Sequence, residues 1–251
     1  MGGGDVAEGD AVEGDAVEAP GRREELAQAL GEVRERIARA CRAVGRDEDE
    51  VALLAVTKTW PASDVAILAD LGLTEFAENR DQEASRKVAE FAELRPGAAA
   101  EWRMVGSLQR NKARSVLGWA DRVDTVDSIR LADALAKAAT KPVDVLVQVS
   151  IDGDVARGGH PIGDLPRLAD HVALTSELFL RGVMTVAPLS MSPQQAFAAL
   201  YEAVTRLRDD HPDATVISAG MSGDLEDAIA HGSTCVRVGT ALLGSRRLAS
   251  P

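Results

Sequence analysis

Lysine is scarce in this chain, five residues against 23 arginines, and cysteine scarcer, with only Cys41 and Cys235. The two thiols stand too far apart for a metal or redox motif, and each falls in an apolar pattern that expects it buried. No run of apolar residues approaches the length of a membrane span, and the first residues lack the basic and apolar regions of a secretory signal, so a cytosolic protein off the membrane is expected. Met1-Gly2 is not followed by Ser or Thr at position 6, which argues against myristoylation. Basic charge is also in deficit. A net charge of -12 disfavours nucleic acid, because a duplex binder needs a stripe of cations to displace counterions from phosphates.

Half of that negative charge lies at one end. Residues 4–18 run through three copies of a five-residue acidic repeat, with six acids and no base. Such a segment buries too little apolar surface to offset its ordering entropy, so residues 1–21 are expected to form a disordered tail whose role goes no further than solubility. The remainder, 22–251, is long enough for a single domain with one core. A local basic cluster, Arg103, Arg110, Lys112 and Arg114, reads as a solvated helix face able to attract a small anion.

From Arg22 to Val44, Leu26, Leu30, Val33, Ile37 and Val44 recur at helical spacing, with acids early and arginines late. After this helix, short apolar strands are expected near 51–57, 74–78, 101–106, 122–126, 143–150, 178–186, 214–219 and 235–239. Helical patterns such as Ala62–Leu71, Ser128–Ala139 and Pro193–Leu207 fill gaps between them. Strict alternation without hairpins argues for a parallel sheet with right-handed crossovers. No Gly-x-Gly-x-x-Gly follows the first strand, which removes the usual sign of a doubly wound dinucleotide fold. Eight units point to α/β architecture, a single (β/α)8 TIM barrel preceded by an N-terminal helix.

In that fold, strand ends carry the chemistry, and Lys58 ends the first apolar run, Val51-Ala52-Leu53-Leu54-Ala55-Val56-Thr57. Alone it reads equally as a lysine that snorkels into water. At a barrel mouth, with a desolvated stem, it reads as an amine able to form a Schiff base with a carbonyl. Ser222, in Gly220-Met221-Ser222-Gly223-Asp224, either caps a helix or lines a phosphate cradle together with Gly239 and Thr240, which open a final short helix. Gly239 also suits a plain tight turn. Arg237 inside an apolar strand needs acceptors for its guanidinium, and an unprotonated ring nitrogen would be one. Lysine, cradle and arginine together describe a site for pyridoxal 5'-phosphate.

The segments Leu54–Thr59, Phe76–Glu83, Val105–Lys112, Gly220–Asp224 and Gly232–Thr240 resemble, in order and in residues, the pyridoxal phosphate homeostasis proteins, over about residues 24 to 247. The resemblance implies the barrel of the alanine racemase N-terminal domain. It also implies pyridoxal phosphate on Lys58, phosphate held by Ser222, Gly239 and Thr240, Arg237 facing the pyridine nitrogen, and Asn79 beside the cofactor. Ala77, Arg103 and Arg80 stand where that family usually has Gly, His and Tyr, departures expected to flank the pocket. The implied function is buffering and delivery of the cofactor to apo-enzymes with little catalysis. The alternatives are an amino-acid racemase and a Schiff-base aldolase. A racemase of this type takes a second base, a tyrosine, from an additional C-terminal domain, and this chain ends at Pro251 with Tyr201 its only tyrosine.

Overall fold

The computed structural model describes residues 21–154 and 158–245. The acidic repeat, and with it the expected tail up to residue 20, lies outside the described residues. Among those described, nine strands form one parallel sheet: β1 (Ala52–Val56), β2 (Glu75–Glu78), β3 (Glu101–Met104), β4 (Arg122–Val126), β5 (Val143–Ser150), β6 (His160–Pro161), β7 (Leu178–Thr185), β8 (Val216–Ser218) and β9 (Cys235–Val238). Their order is β4-β3-β2-β1-β9-β8-β7-β5, and a β4–β5 pairing closes the ring, so eight strands make a barrel. The ninth, β6, is a two-residue addition beside Val149 and Ser150 at the end of β5. It is too short to leave a period-2 pattern in the sequence.

The outer helices are α1 (Arg22–Ala43), α2 (Ala62–Asp70), α3 (Asp81–Leu94), α4 (Ala113–Val116), α5 (Ile129–Ala138), α6 (Leu165–Ala173), α7 (Pro193–Asp210), α8 (Leu225–Ala230) and α9 (Thr240–Leu243). Their starts carry local signals. Ser128 accepts the Leu131 N–H at 3.3 Å, and Ser192 with Gln195 forms a capping box before Pro193. The apolar stripe of α1, Leu26, Leu30, Val33, Ile37 and Cys41, is buried against its neighbours α2, α8 and α9.

Alternation along the strands divides the core in two. Outward residues join the helices in one large aliphatic cluster, which includes a stack of Phe76, Phe91 and Trp102 with ring centroids 5.4–6.0 Å apart. Inside, the apolar content is a small group of Leu54, Ala77 and Cys235 with Ala52, Val56, Val105 and Val216 packed on it. Both cysteines are buried and unpaired. Charged residues, Arg103, Asp124 and Arg237, are also buried on the strands.

Arg103 corrects the expected basic cluster. It lies in β3, buried inside the barrel, and pairs with Glu75 at 2.5 Å and Glu101 at 2.8 Å, while Arg110 and Arg114 are exposed on the outer surface. Further pairs Arg122–Glu101, Arg122–Asp144 and Arg181–Asp144 carry this alternation of charge across β3, β4, β5 and β7. A guanidinium in a strand interior is tolerable here because carboxylates from its own strand and from β2 meet it. Thus Arg103 belongs to the barrel's own packing, and of the three departures it stands furthest from the expected role.

Candidate cofactor site at the barrel mouth

Lys58 follows β1 in the turn Thr57–Trp60, closed by the Trp60 N–H on the Thr57 carbonyl at 3.0 Å. It is partly buried, and among the described residues it makes no ion pair and no hydrogen bond. The following residue, Thr59, has φ 69°, the one positive φ outside glycine among the described residues. A β-branched residue there is strained by about 1–3 kcal/mol and persists only where the surroundings over-determine it. They do. The Thr59 N–H donates to Glu83 of α3, the Thr57 hydroxyl to Glu78 Oε1 at 2.7 Å, and Lys87 Nζ to the Thr57 carbonyl at 2.7 Å.

Lys87 is the centre of this seam. Its ammonium also reaches Glu78 Oε1 at 2.6 Å and Glu83 Oε1 at 3.1 Å. Burial pushes the Glu78 carboxyl above its ordinary range against the opposing pull of Lys87 and Thr57. Glu83 is itself partly desolvated, but the Thr59 N–H and Lys87 hold it below that range. No motif in the sequence singles out Lys87 as a site residue. The available signals were the Glu83–Lys87 spacing of a helical ion pair and its being one of five lysines.

Asn79 follows β2, with its Oδ1 buried and unpartnered among the described residues. Beside it opens a cleft of about 750 Å³ lined in part by Arg80, Met104, Ser107 and Lys112. Ser222 is not a cap: the cap position of α8 is Asp224, which makes no side-chain cap bond. Instead Ser222 Oγ accepts the Ala241 N–H at 3.3 Å, so the loop after β8 and the start of α9 are tied together. That leaves the hydroxyl proton and the Thr240 hydroxyl as donors on one surface. Arg36 of α1 fixes the same loop, donating to the Ser222 carbonyl at 3.0 Å and gripping Glu226 at 2.8 Å. Gly220, at φ 91°, admits this turn, since a Cβ there would lie 2.6 Å from the Ala228 methyl. At Gly239 a Cβ would come within 3.3 Å of the Val56 carbonyl, crowding the gap between the ends of β1 and β9.

Arg237 is buried in β9, but its hydrogen bonds are not waiting for a ligand alone. Nη1 donates to the Ser218 carbonyl and hydroxyl at 2.8 and 3.0 Å, and Nη2 to the Thr185 carbonyl at 2.7 Å. Three of five N–H groups are thereby engaged by the protein itself, and the others remain for a further acceptor, of which a ring nitrogen would be one. Nearby Asp124 is fully buried with both oxygens unpartnered, and desolvation raises its pKa to about 6 against the pull of Arg103, Arg122 and Arg237. Tyr201, the single tyrosine, lies on α7 against Gly232, in the turn that leads into β9, at the opposite end from Lys58.

Lys58, Asn79, Ser222, Arg237, Gly239 and Thr240 thus come from four neighbouring strands, β2-β1-β9-β8, or from the loops at their C-terminal ends. An amine without a counter-ion, a hydroxyl-lined double loop, a buried guanidinium and an orphaned amide oxygen suit an anionic aromatic aldehyde. Among the described residues no cluster of His, Cys, Asp and Glu is arranged for a metal ion.

Residues 29–247 match the family described as alanine racemase, N-terminal domain. The chain is also 46% identical over 92% of its length, and 96% of the relative's, to a pyridoxal phosphate homeostasis protein of Mycobacterium leprae (strain TN). It belongs to that family. An Escherichia coli (strain K12) member is 40% identical over 88% of this chain and 97% of its own. Among solved structures, PipY of Synechococcus elongatus PCC7942, described with pyridoxal phosphate bound, superposes with a TM-score of 0.76 at 31% identity, covering 87% of this chain and 100% of PipY. The racemase-type barrel of the family is therefore the fold of this chain, closed by eight parallel strands.

Proposed function

We propose that this protein binds pyridoxal 5'-phosphate as a Schiff base on Lys58 and serves cofactor homeostasis in the cytosol, buffering the cofactor and passing it to apo-enzymes, with little catalysis of its own. The observation that carries the proposal is the unpaired Lys58 amine on the same four-strand arc as the Ser222–Gly239–Thr240 loops. The names of relatives at 40–46% identity support it. When bound, pyridoxal phosphate would supply an aldehyde reactive toward amines and a ring able to withdraw electrons. The chain's part is to bind and orient it. Lys58 offers the amine, Ser222 and Thr240 with the adjoining backbone N–H groups offer donors to a phosphate, and Asn79 lies at the rim. Arg237, always charged, would present a donor to a ring nitrogen and keep it unprotonated, which weakens the ring as an electron sink. Tyr201 packs against Gly232 ahead of β9, which supports the reading that this chain brings no tyrosine base to the site.

Titration with pyridoxal phosphate should give a visible absorbance band in the wild type that Lys58→Ala lacks. The loaded wild type should exchange the α-hydrogen of alanine in deuterated water far more slowly than the median enzyme rate of about 10 per second. It should also restore activity to an apo-enzyme. Rapid Lys58-dependent exchange would favour the racemase reading instead, and an identical band in Lys58→Ala would move the cofactor elsewhere.

A further inference from the structure

We propose that Lys87 of α3 is the positioning residue for Lys58: bonded at once to the Thr57 carbonyl, Glu78 and Glu83, it fixes the Thr57–Thr59 turn from which Lys58 projects. This rests on Lys58 being the cofactor lysine.

The Lys87 side chain is 5% exposed, and its three donors are all used, on the Thr57 carbonyl, Glu78 Oε1 and Glu83 Oε1. Each carboxylate oxygen in turn holds a neighbour of Lys58: Glu78 Oε1 accepts the Thr57 hydroxyl, and Glu83 Oε1 accepts the Thr59 N–H. Residues on both sides of Lys58 are therefore clamped by one buried cation, while Lys58 itself is left unbonded among the described residues. A buried ammonium whose only task was to join α3 to the barrel could take acceptors anywhere along that seam. Here all three acceptors either belong to the turn or hold it. The charged groups facing Lys87 are Glu78 from β2 and Glu83 from its own helix, with Arg80 adding positive charge near Glu83; β1 contributes the neutral Thr57. Without Lys87 the Thr57 carbonyl, Glu78 and Glu83 lose their common donor, and the turn that aims Lys58 loses its hold on α3.

The test needs no bound cofactor. Full-length protein stripped of pyridoxal phosphate is acylated with acetic anhydride across a pH series, Lys58 modification is read by peptide mass spectrometry, and exchange of the Thr59 amide is followed separately. Lys87→Met should raise Lys58 modification at pH 7 several-fold, as the freed turn exposes the amine, and speed Thr59 exchange at least tenfold. Lys87→Arg should restore both toward wild type. Should Lys87→Met fail to fold, Glu83→Ala decides, since it removes the Thr59 acceptor from a partly exposed site and should speed Thr59 exchange to a similar degree. Wild-type values of both readouts in folded Lys87→Met, or of Thr59 exchange in Glu83→Ala, would overturn the proposal. Failure of the wild type to bind pyridoxal phosphate would instead end the functional reading and leave these measurements standing.

Discussion

Asp124 shows how burial of charge on the strands registers at a single residue. Desolvation lifts its folded pKa to about 6, above an ordinary value near 3.9, so the folded state holds the proton more tightly than the unfolded chain. Below about pH 4 both states are protonated and no penalty exists. As pH rises toward 6 and beyond, the folded protein bears an ionised, unpartnered carboxylate, and two pKa units correspond to about 3 kcal/mol. Asp124→Asn should therefore gain stability relative to wild type by about that amount between pH 4 and pH 7 in denaturant unfolding. A difference between the two proteins that stays constant with pH would show Asp124 to be partnered. Only Arg122, two positions earlier in β4, is near Asp124 in sequence; the other two arginines come from β3 and β9, which no local pattern announces. Lys58 was legible for the opposite reason: the signal is a local apolar run that ends in a rare residue type.

At the scale of elements, the eight barrel strands and most crossover helices could be read from alternating periodicities, since each is a short local pattern. Connections between elements were not legible. The amphipathic stripe identifies α1 as a helix packed on the barrel, but its arginines do the bracing. Arg22 spans Asp64 at 2.7 Å, the Leu243 carbonyl at 3.2 Å and the Trp60 ring at 4.9 Å, tying α2 and α9 to α1. Arg36 likewise ties the Ser222 loop and α8. An ion pair this exposed contributes about 0–1 kcal/mol, so Arg36→Ala should scarcely alter unfolding. It should, however, loosen the loop that carries Ser222 and weaken pyridoxal phosphate binding several-fold in a spectroscopic titration. An unchanged affinity would mean that the Ser222–Ala241 bond alone sets the loop. Arg103 marks the limit of linear reading: arginines close in sequence at 103, 110 and 114 were grouped, although a strand end separates a buried one from two exposed ones.

For the whole molecule, one barrel closed through the β4–β5 pairing brings together residues from 58 to 240 on adjacent strands. Residues 1–21 add acid and little apolar surface, so their removal should leave thermal unfolding and cofactor titration as they are in the full chain. A lower unfolding temperature in the truncated protein would show that the repeat packs on the body. The central claim is that Lys58 carries the cofactor, and the most direct measurement is borohydride reduction of protein saturated with pyridoxal phosphate, followed by peptide mapping. The expected result is loss of the visible band and a stable phosphopyridoxyl mass on the peptide containing Lys58. A label on the peptides of Lys87 or Lys112, or no label at all, would contradict it.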